Sequence, residues 1–334
     1  MNRIAVLSNA GSGGNRRRTE LLRLLDTTSG LDHRVTASAD ELPEALSVLL
    51  AREPALLAVN GGDGTVQAVL TAWAALVDEG AVPPAPVPVA VLPAGSTNMT
   101  AHDLGCGGRM RRRLDDLLAL RDRDRRAWQV EARQPLAVVD GAGERRLGFF
   151  FGMGTIVRGI EYWHGRLRHG GGAGEWGAGA ALLRAAWGIV RREPPFHEPA
   201  RLRLVAEADR KAGRVEAEQA VTFLLATTMR RLFLGIAPFW GEAPAPLSVT
   251  WVEAGARRFL PRIPALLAGR EAHLPAADGY HGLRTDRLGL SFDDPWAIDG
   301  EVFPASASLQ LAPAPAQPFV RLVDAPGARP EQSP

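Results

Sequence analysis

Three short apolar runs constrain this chain most, because each passes directly into a loop of small polar residues and then into a helical stretch. Ile4–Ser8 leads to Asn9-Ala10-Gly11-Ser12-Gly13-Gly14. Ala55–Val59 leads, through Asn60, to Gly61-Gly62-Asp63-Gly64-Thr65. Val89–Leu92 leads to Pro93-Ala94-Gly95-Ser96-Thr97-Asn98. Short apolar runs bounded by turn signals are strands buried on both faces, and such strands with helices between them build a parallel, doubly wound sheet. Helices are expected over Thr19–Leu25 and Val66–Val77. A third is expected from Asp40, as N-cap, to Arg52, with Leu42, Ala45, Leu46, Leu49 and Leu50 on one face; Arg34–Ala37 adds a strand. Ligands of such sheets bind at the carboxyl ends of the strands, which is where all three loops fall.

From about Ala127 the texture changes. Trp128–Glu131, Leu136–Val139, Leu147–Phe151, Arg201–Ala206 and Val215–Thr227 read as strands, with a hairpin turn at Asp209–Gly213. A Gly-rich loop over Gly170–Gly179 precedes a helical insertion over Gly179–Arg192. The chain of 334 residues is long enough for two domains. The expected fold is α/β plus β: a doubly wound domain over 1–126, then an antiparallel β-sandwich-like domain over 127–313. A Pro- and Ala-rich tail over 314–334 is free to return to the first domain.

Composition removes several function classes. Of the 39 basic residues only Lys211 is a lysine. A P-loop needs Gly-Lys-Ser/Thr and a protein kinase needs a strand lysine; Lys211, in Ala-Asp-Arg-Lys-Ala-Gly, serves neither. Cys106 is alone, so no internal disulfide and no Cys-based zinc cluster forms. A net charge of +2, with arginine clusters that lack interleaved aromatics, argues against a nucleic-acid partner. The N-terminus lacks a signal-peptide core, and no run approaches the roughly 18 apolar residues of a membrane span. A cytoplasmic chain that meets a membrane only at its surface is expected.

The loops carry the chemistry. Glycines permit unusual backbone angles and close approach of a ligand, and N–H groups at the head of a helix stabilise an anion. Asp63 would repel a bare phosphate, so its presence fits a site that also holds magnesium or a hydroxyl to be deprotonated; the other reading is a tight turn with Asp63 capping the helix. Asparagine occurs five times, at Asn2, Asn9, Asn15, Asn60 and Asn98, and three of these lie in or beside the loops.

Ser8–Gly13, Asn60–Thr65, Leu92–Ala101 and the late Asp299-Gly300-Glu301 together make the chain resemble the diacylglycerol kinase catalytic family, which includes sphingosine and ceramide kinases and bacterial lipid kinases. The resemblance implies an ATP-dependent kinase acting on a lipid hydroxyl, diacylglycerol-like or sphingoid, with Mg2+ and the nucleotide in a cleft between domains. It places Gly61, Gly62, Gly64 and Thr65 near the phosphates, with Asn9, Ser12, Gly13, Gly95, Ser96, Thr97 and Asn98 completing the pocket. Asp63 joins the catalytic set. One of Asp299 and Glu301 takes the proton from the attacking hydroxyl and the other orients it; taken alone, Asp-Gly is also a hairpin turn.

Three departures stand out. Met99 occupies the family's second acidic position in Asn-Asp, and Ser96 replaces a threonine. After Leu234–Trp240 the family's bacterial Asp-Gly is missing, leaving Glu242 as the substitute metal ligand or the metal site absent. Gly-Gly-Asp-Gly-Thr is shared with NAD kinases, so an NAD kinase-type phosphotransferase is the alternative enzyme. A catalytically weak lipid- or nucleotide-binding protein is the alternative outside enzymes. Trp163, Trp176, Trp187, Phe239 and Trp240 fit either peripheral membrane contact or packing. A homo-oligomer is compatible with all of this. The histidines, His164, His169 and His197 among them, show no metal-ligand spacing.

Overall fold

The computed structural model describes residues 2–16, 19–82, 87–168, 187–188, 191, 193–194, 196–207, 214–241 and 244–322. The chain divides into two compact units, Met1–Arg133 with Ala316–Pro334, and Gln134–Pro315.

The first unit is a six-stranded sheet covered by helices. In chain order its elements are β1 (Ile4–Asn9), α1 (Gly13–Arg16), α2 (Thr19–Thr27), β2 (Leu31–Thr36), α3 (Leu42–Leu50), β3 (Leu56–Gly61), α4 (Asp63–Asp78), β4 (Val89–Pro93), α5 (Met99–Asp103), α6 (Met110–Arg121) and β5 (Val130–Arg133). The last strand of the chain, β17 (Gln317–Val320), returns to this sheet, giving the order β2-β1-β3-β4-β17-β5. β1 pairs with β2 and β3 in parallel, β3 with β4 and β4 with β17 likewise; only β5, against β17, is antiparallel. The central strands are apolar because both faces are covered: every residue of β3 and β4 is buried.

Two sequence expectations shift here. Asp40 does not cap α3. It lies in a 3-10 turn, Ala39–Glu41, and Leu42 opens the helix with Pro43 in its first turn, where the missing N–H needs no partner. Glu41 instead accepts from the backbone N–H of Ala37 at 2.8 Å. The unit boundary lies after Arg133 rather than after residue 126, because Val130–Arg133 pairs with the returning β17. A strand this short takes its domain from its partner.

The second unit is an eleven-stranded, curled antiparallel sheet. It comprises β6 (Leu136–Asp140), β7 (Arg145–Gly148), β8 (Phe150–Gly154), β9 (Ala200–Glu207), β10 (Arg214–Thr227), β11 (Leu247–Glu253), β12 (Tyr280–Thr285), β13 (Arg287–Phe292), β14 (Trp296–Ile298), β15 (Glu301–Phe303) and β16 (Leu309–Pro313), with helix α7 (Thr155–Arg168) after β8. The main path runs β15-β14-β8-β10-β9-β13-β16-β6-β7, and β11 joins β10 to β12. The single strand expected over Leu147–Phe151 breaks at Phe149: β7 ends that path, whereas β8 is the third strand from its other end, between β14 and β10. Alternation drives the packing: Leu202, Leu204 and Ala206 of β9 face the core, while Arg201, Arg203 and Glu207 face out. Trp296 stacks between Phe151 and Phe303 inside this core, at ring distances of 5.9 and 4.6 Å.

Trp240, counted from the sequence among the residues suited to a membrane, is a core residue. It packs with Val252, Leu266, Leu274 and Tyr280. Gly282 is its complement, since a Cβ there would lie 2.4 Å from the indole. Phe239 is half-buried, and Trp187 is exposed with the Arg191 guanidinium 4.9 Å from its ring centre. Trp176, the side chain of Trp163, Glu242, the Gly170–Gly179 loop, most of the Gly179–Arg192 insertion and the Asp209–Gly213 turn lie outside the described residues. Among the described residues no helix is long and apolar enough to cross a membrane.

Candidate functional site

The loops after β1, β3 and β4 lie side by side at the carboxyl end of the first sheet, as parallel neighbours require. Asn9 shapes the first. Its Oδ1 accepts from the Gly11 N–H at 2.7 Å, and its Nδ2 donates to Thr65 Oγ1 at 2.9 Å, reaching across to the second loop. Ser12 Oγ lies 3.4 Å from the same threonine hydroxyl. Buried Asn15 donates to the carbonyls of Asn9, at 2.8 Å, and Asn60, at 3.2 Å, tying two strand ends together. Asn15 was not among the expected site residues. Its signal was present, since it is one of only five asparagines.

The second and third loops are joined more tightly. Gly62 and Gly95 meet backbone to backbone: a Cβ on Gly95 would lie 2.5 Å from the Gly62 Cα. Gly61 has no room for a side chain because that of Thr65 fills the space. Asn98 takes a left-handed φ of 47° and closes its own loop, accepting from the Gly95 N–H at 2.7 Å and donating to the Gly95 carbonyl at 3.1 Å. The first loop ties in through the Gly14 N–H, 2.8 Å from the Ala94 carbonyl. Most of these glycines thus answer to packing between loops rather than to ligand approach. Gly13 differs: it is exposed, and a Cβ there would meet nothing within 4 Å.

Asp63 is the clamp between the second and third loops. Its Oδ2 accepts from Thr97 Oγ1 at 2.7 Å and from the Met99 N–H at 3.1 Å; its Oδ1 accepts from the Thr100 N–H at 2.8 Å. The carboxylate caps α5 from outside that helix, stabilising its positive end. At 6% exposure and with both oxygens accepting, Asp63 first of all holds the third loop in place. Met99, the departure from the family pattern, contributes that N–H while its side chain is buried. α4 starts after Gly62 with no side-chain cap; the Thr65 and Val66 N–H groups turn back to the Gly62 carbonyl at 3.0 and 3.1 Å, which leaves those of Asp63 and Gly64 at its head for an anion.

Asp299 and Glu301 belong to the second unit and differ sharply. Asp299 and Gly300 form the two-residue turn between β14 and β15, at φ 48° and 88°. The Asp299 carboxylate accepts from the N–H groups of Phe149, at 3.0 and 3.1 Å, and Phe150, at 2.8 Å, the point where the bent strand passes from β7 to β8. It is 4% exposed. Glu301 opens β15 with its side chain in solvent. Of the two carboxylates, Glu301 is the one open to solvent.

Other chemistry is limited. Burial pushes the Cys106 thiol up, despite lowering contributions from backbone N–H groups and from Arg113 and Arg321, so it stays protonated and inert. Among the described residues no group of three His, Cys, Asp or Glu is arranged to hold a metal. Magnesium needs no such cage, since one or two carboxylates with phosphate and water suffice. At the loops of the first unit the carboxylate is Asp63, which already accepts three hydrogen bonds.

Residues 3–130 match the family model described as the diacylglycerol kinase catalytic domain, so the resemblance read from the motifs stands over that stretch. No curated protein matches the sequence. Among solved structures, a diacylglycerol kinase from Bacillus anthracis is 13% identical, with 96% of each chain covered and a TM-score of 0.61. A second structure from that organism is 14% identical over 96% of this chain and 97% of the other, with a TM-score of 0.60. These similarities establish the two-domain fold. Yeast NADH kinase, at 8% identity, coverages of 96% and 83% and a TM-score of 0.45, is too distant to weigh.

Proposed function

We propose that this protein is an ATP-dependent kinase that transfers the γ-phosphoryl group to a lipid hydroxyl, diacylglycerol-like or sphingoid. The observation that carries the reading is the cradle of three loops, clamped by Asp63, within the stretch that matches the kinase family. In this reading the phosphates meet the open side of Gly13, the head of α4 and the hydroxyls of Ser12 and Ser96, while Thr97 keeps its hydrogen on Asp63. When bound with the nucleotide, magnesium would supply neutralisation of phosphate charge, which a chain with one lysine cannot do with lysines.

Glu301 is the base for the attacking hydroxyl, because its carboxylate is exposed while that of Asp299 is committed to backbone N–H groups. Asp299 is a positioning residue: it holds the turn from which Glu301 projects. Phosphoryl transfer of this kind depends on positioning and charge neutralisation, which matches a site rich in backbone donors. The acceptor's chemistry brings the protein to a membrane surface.

The test is transfer of label from γ-labelled ATP to a panel of lipid alcohols presented in vesicles. Wild type should label one lipid class, and Glu301→Gln should lower the rate about 100-fold or more while leaving ATP affinity intact. ATP binding without transfer to any lipid would instead indicate a binding protein. Conversion of NAD to NADP would move the assignment to the NAD kinases.

A further inference from the structure

β2 places a histidine beneath the roots of the first two loops. The His33 side chain is 2% exposed, with Nδ1 2.6 Å from Asp26 Oδ1 of α2 and Nε2 2.8 Å from Ser8 Oγ of β1. Ser8 Oγ also lies 2.8 Å from Asn60 Nδ2 of β3. Ser8 and Asn60 are fully buried, face each other across the β1–β3 ladder, and immediately precede Asn9 and Gly61 of the loops. An Asp–His–Ser line activates a nucleophile in hydrolases. Here Ser8 is sealed from solvent and Asn60 occupies its oxygen, so acyl transfer is denied.

Donor and acceptor rules give the line a direction. The Asn60 amide nitrogen can only donate, so Ser8 Oγ accepts from it and passes its own hydrogen to His33 Nε2. That nitrogen must then be bare, and Nδ1 carries its hydrogen toward Asp26. Only a neutral imidazole satisfies every member. With a hydrogen on Nε2 as well, Ser8 Oγ would accept from both Nε2 and Asn60, and its own buried O–H would lose its acceptor, which is costly.

Asp26, its side chain 57% exposed, is the charged group on His33. The other charges nearby face away. Asp32 and Arg34 alternate to the opposite face of β2, where Asp32 pairs with Arg3 and Arg52. Glu20 and Arg23 of α2 and Glu44 of α3 are exposed, and β1 carries no charge.

We propose that His33 is a positioning residue for the phosphate-facing loops. With Nε2 bare, it holds Ser8 and Asn60, and through them the ends of β1 and β3 that carry the loops' grip on a phosphate-bearing ligand. The ligand part of this proposal rests on the nucleotide reading above.

Imidazole nitrogen shifts of His33 in the full-length protein should show the Nδ1–H tautomer, and the Nε2–H tautomer would overturn the proposal. Calorimetric titration with Mg-ATP should show His33→Phe binding about tenfold more weakly than wild type. His33→Gln, whose Oε1 can take the Ser8 hydrogen, should recover most of the affinity. Wild-type affinity in His33→Phe, or no recovery in His33→Gln, sinks the idea. Should His33→Phe fail to fold, His33→Gln and the tautomer decide. If the wild type binds no ATP, the kinase reading fails separately. The relay then stands or falls on amide exchange at Ser8 and Asn60, which should be faster in His33→Phe than in wild type or His33→Gln.

Discussion

Asp63 and Asp299 share a chemical situation that their sequence motifs do not reveal. Each is a nearly buried carboxylate that accepts hydrogen bonds from backbone N–H groups of a neighbouring segment. Removing such an acceptor leaves buried donors unpaired, at about 1–3 kcal/mol for each exposed loss. Asp63→Ala should therefore lower the stability of the first unit by roughly 2–4 kcal/mol, and Asp299→Ala that of the second by a similar amount. Denaturant unfolding measures both. Glu301→Gln, by contrast, should change stability by less than about 0.5 kcal/mol while transfer activity collapses. A Glu301→Gln variant that unfolds early would show that this carboxylate also has a structural task. Cys106 should resist thiol reagents until the chain unfolds, because burial keeps it protonated and covered.

At the scale of loops and helices, the glycines separate into two kinds. Gly95→Ala drives a Cβ to 2.5 Å from the Gly62 Cα, with backbone on the other side that cannot swing away. It should cost about 1–3 kcal/mol and spread the second and third loops. Gly13→Ala has open space around it, so it should leave stability nearly unchanged and weaken nucleotide binding alone. Thermal midpoints and ATP titrations on the two variants test the distinction; equal behaviour would mean that both glycines serve one purpose. The presence of the loops was readable from apolar runs and turn residues. The reason for their glycines was not, because Gly62 and Gly95 are distant in sequence and meet only through the pairing of β3 with β4.

For the whole molecule, the tail matters more than its composition indicates. β17 is an interior strand of the first sheet, and Phe319, Val320 and Leu322 are at most 1% exposed. Arg113 donates to the Leu322 carbonyl, and Arg133 of β5 pairs with Asp103. A chain ending at Pro315 would strip β5 of its partner and lose three large apolar side chains, each contributing about 1.5–3 kcal/mol. It should lose the cooperative melting of the first unit while the second, whose strands all remain, still unfolds as a unit. Calorimetry on the truncated chain would show this; an unchanged first transition would mean that β17 is dispensable.

Local pattern determined the architecture, because buried parallel strands, amphipathic helices and Gly-rich ends have signatures within a few residues. It also located the three loops and the Asp-Gly-Glu turn. Only tertiary structure decided what those residues do. Asp63 caps a helix that begins far along the chain, His33 reaches Ser8 and Asn60 from a separate strand, and Asp299 holds a bend in β-structure laid down much earlier. Each of these depends on which segments become neighbours. A side chain's role follows from the donors and acceptors that folding brings to it, and those are set by strand order, which spacing along the chain does not encode.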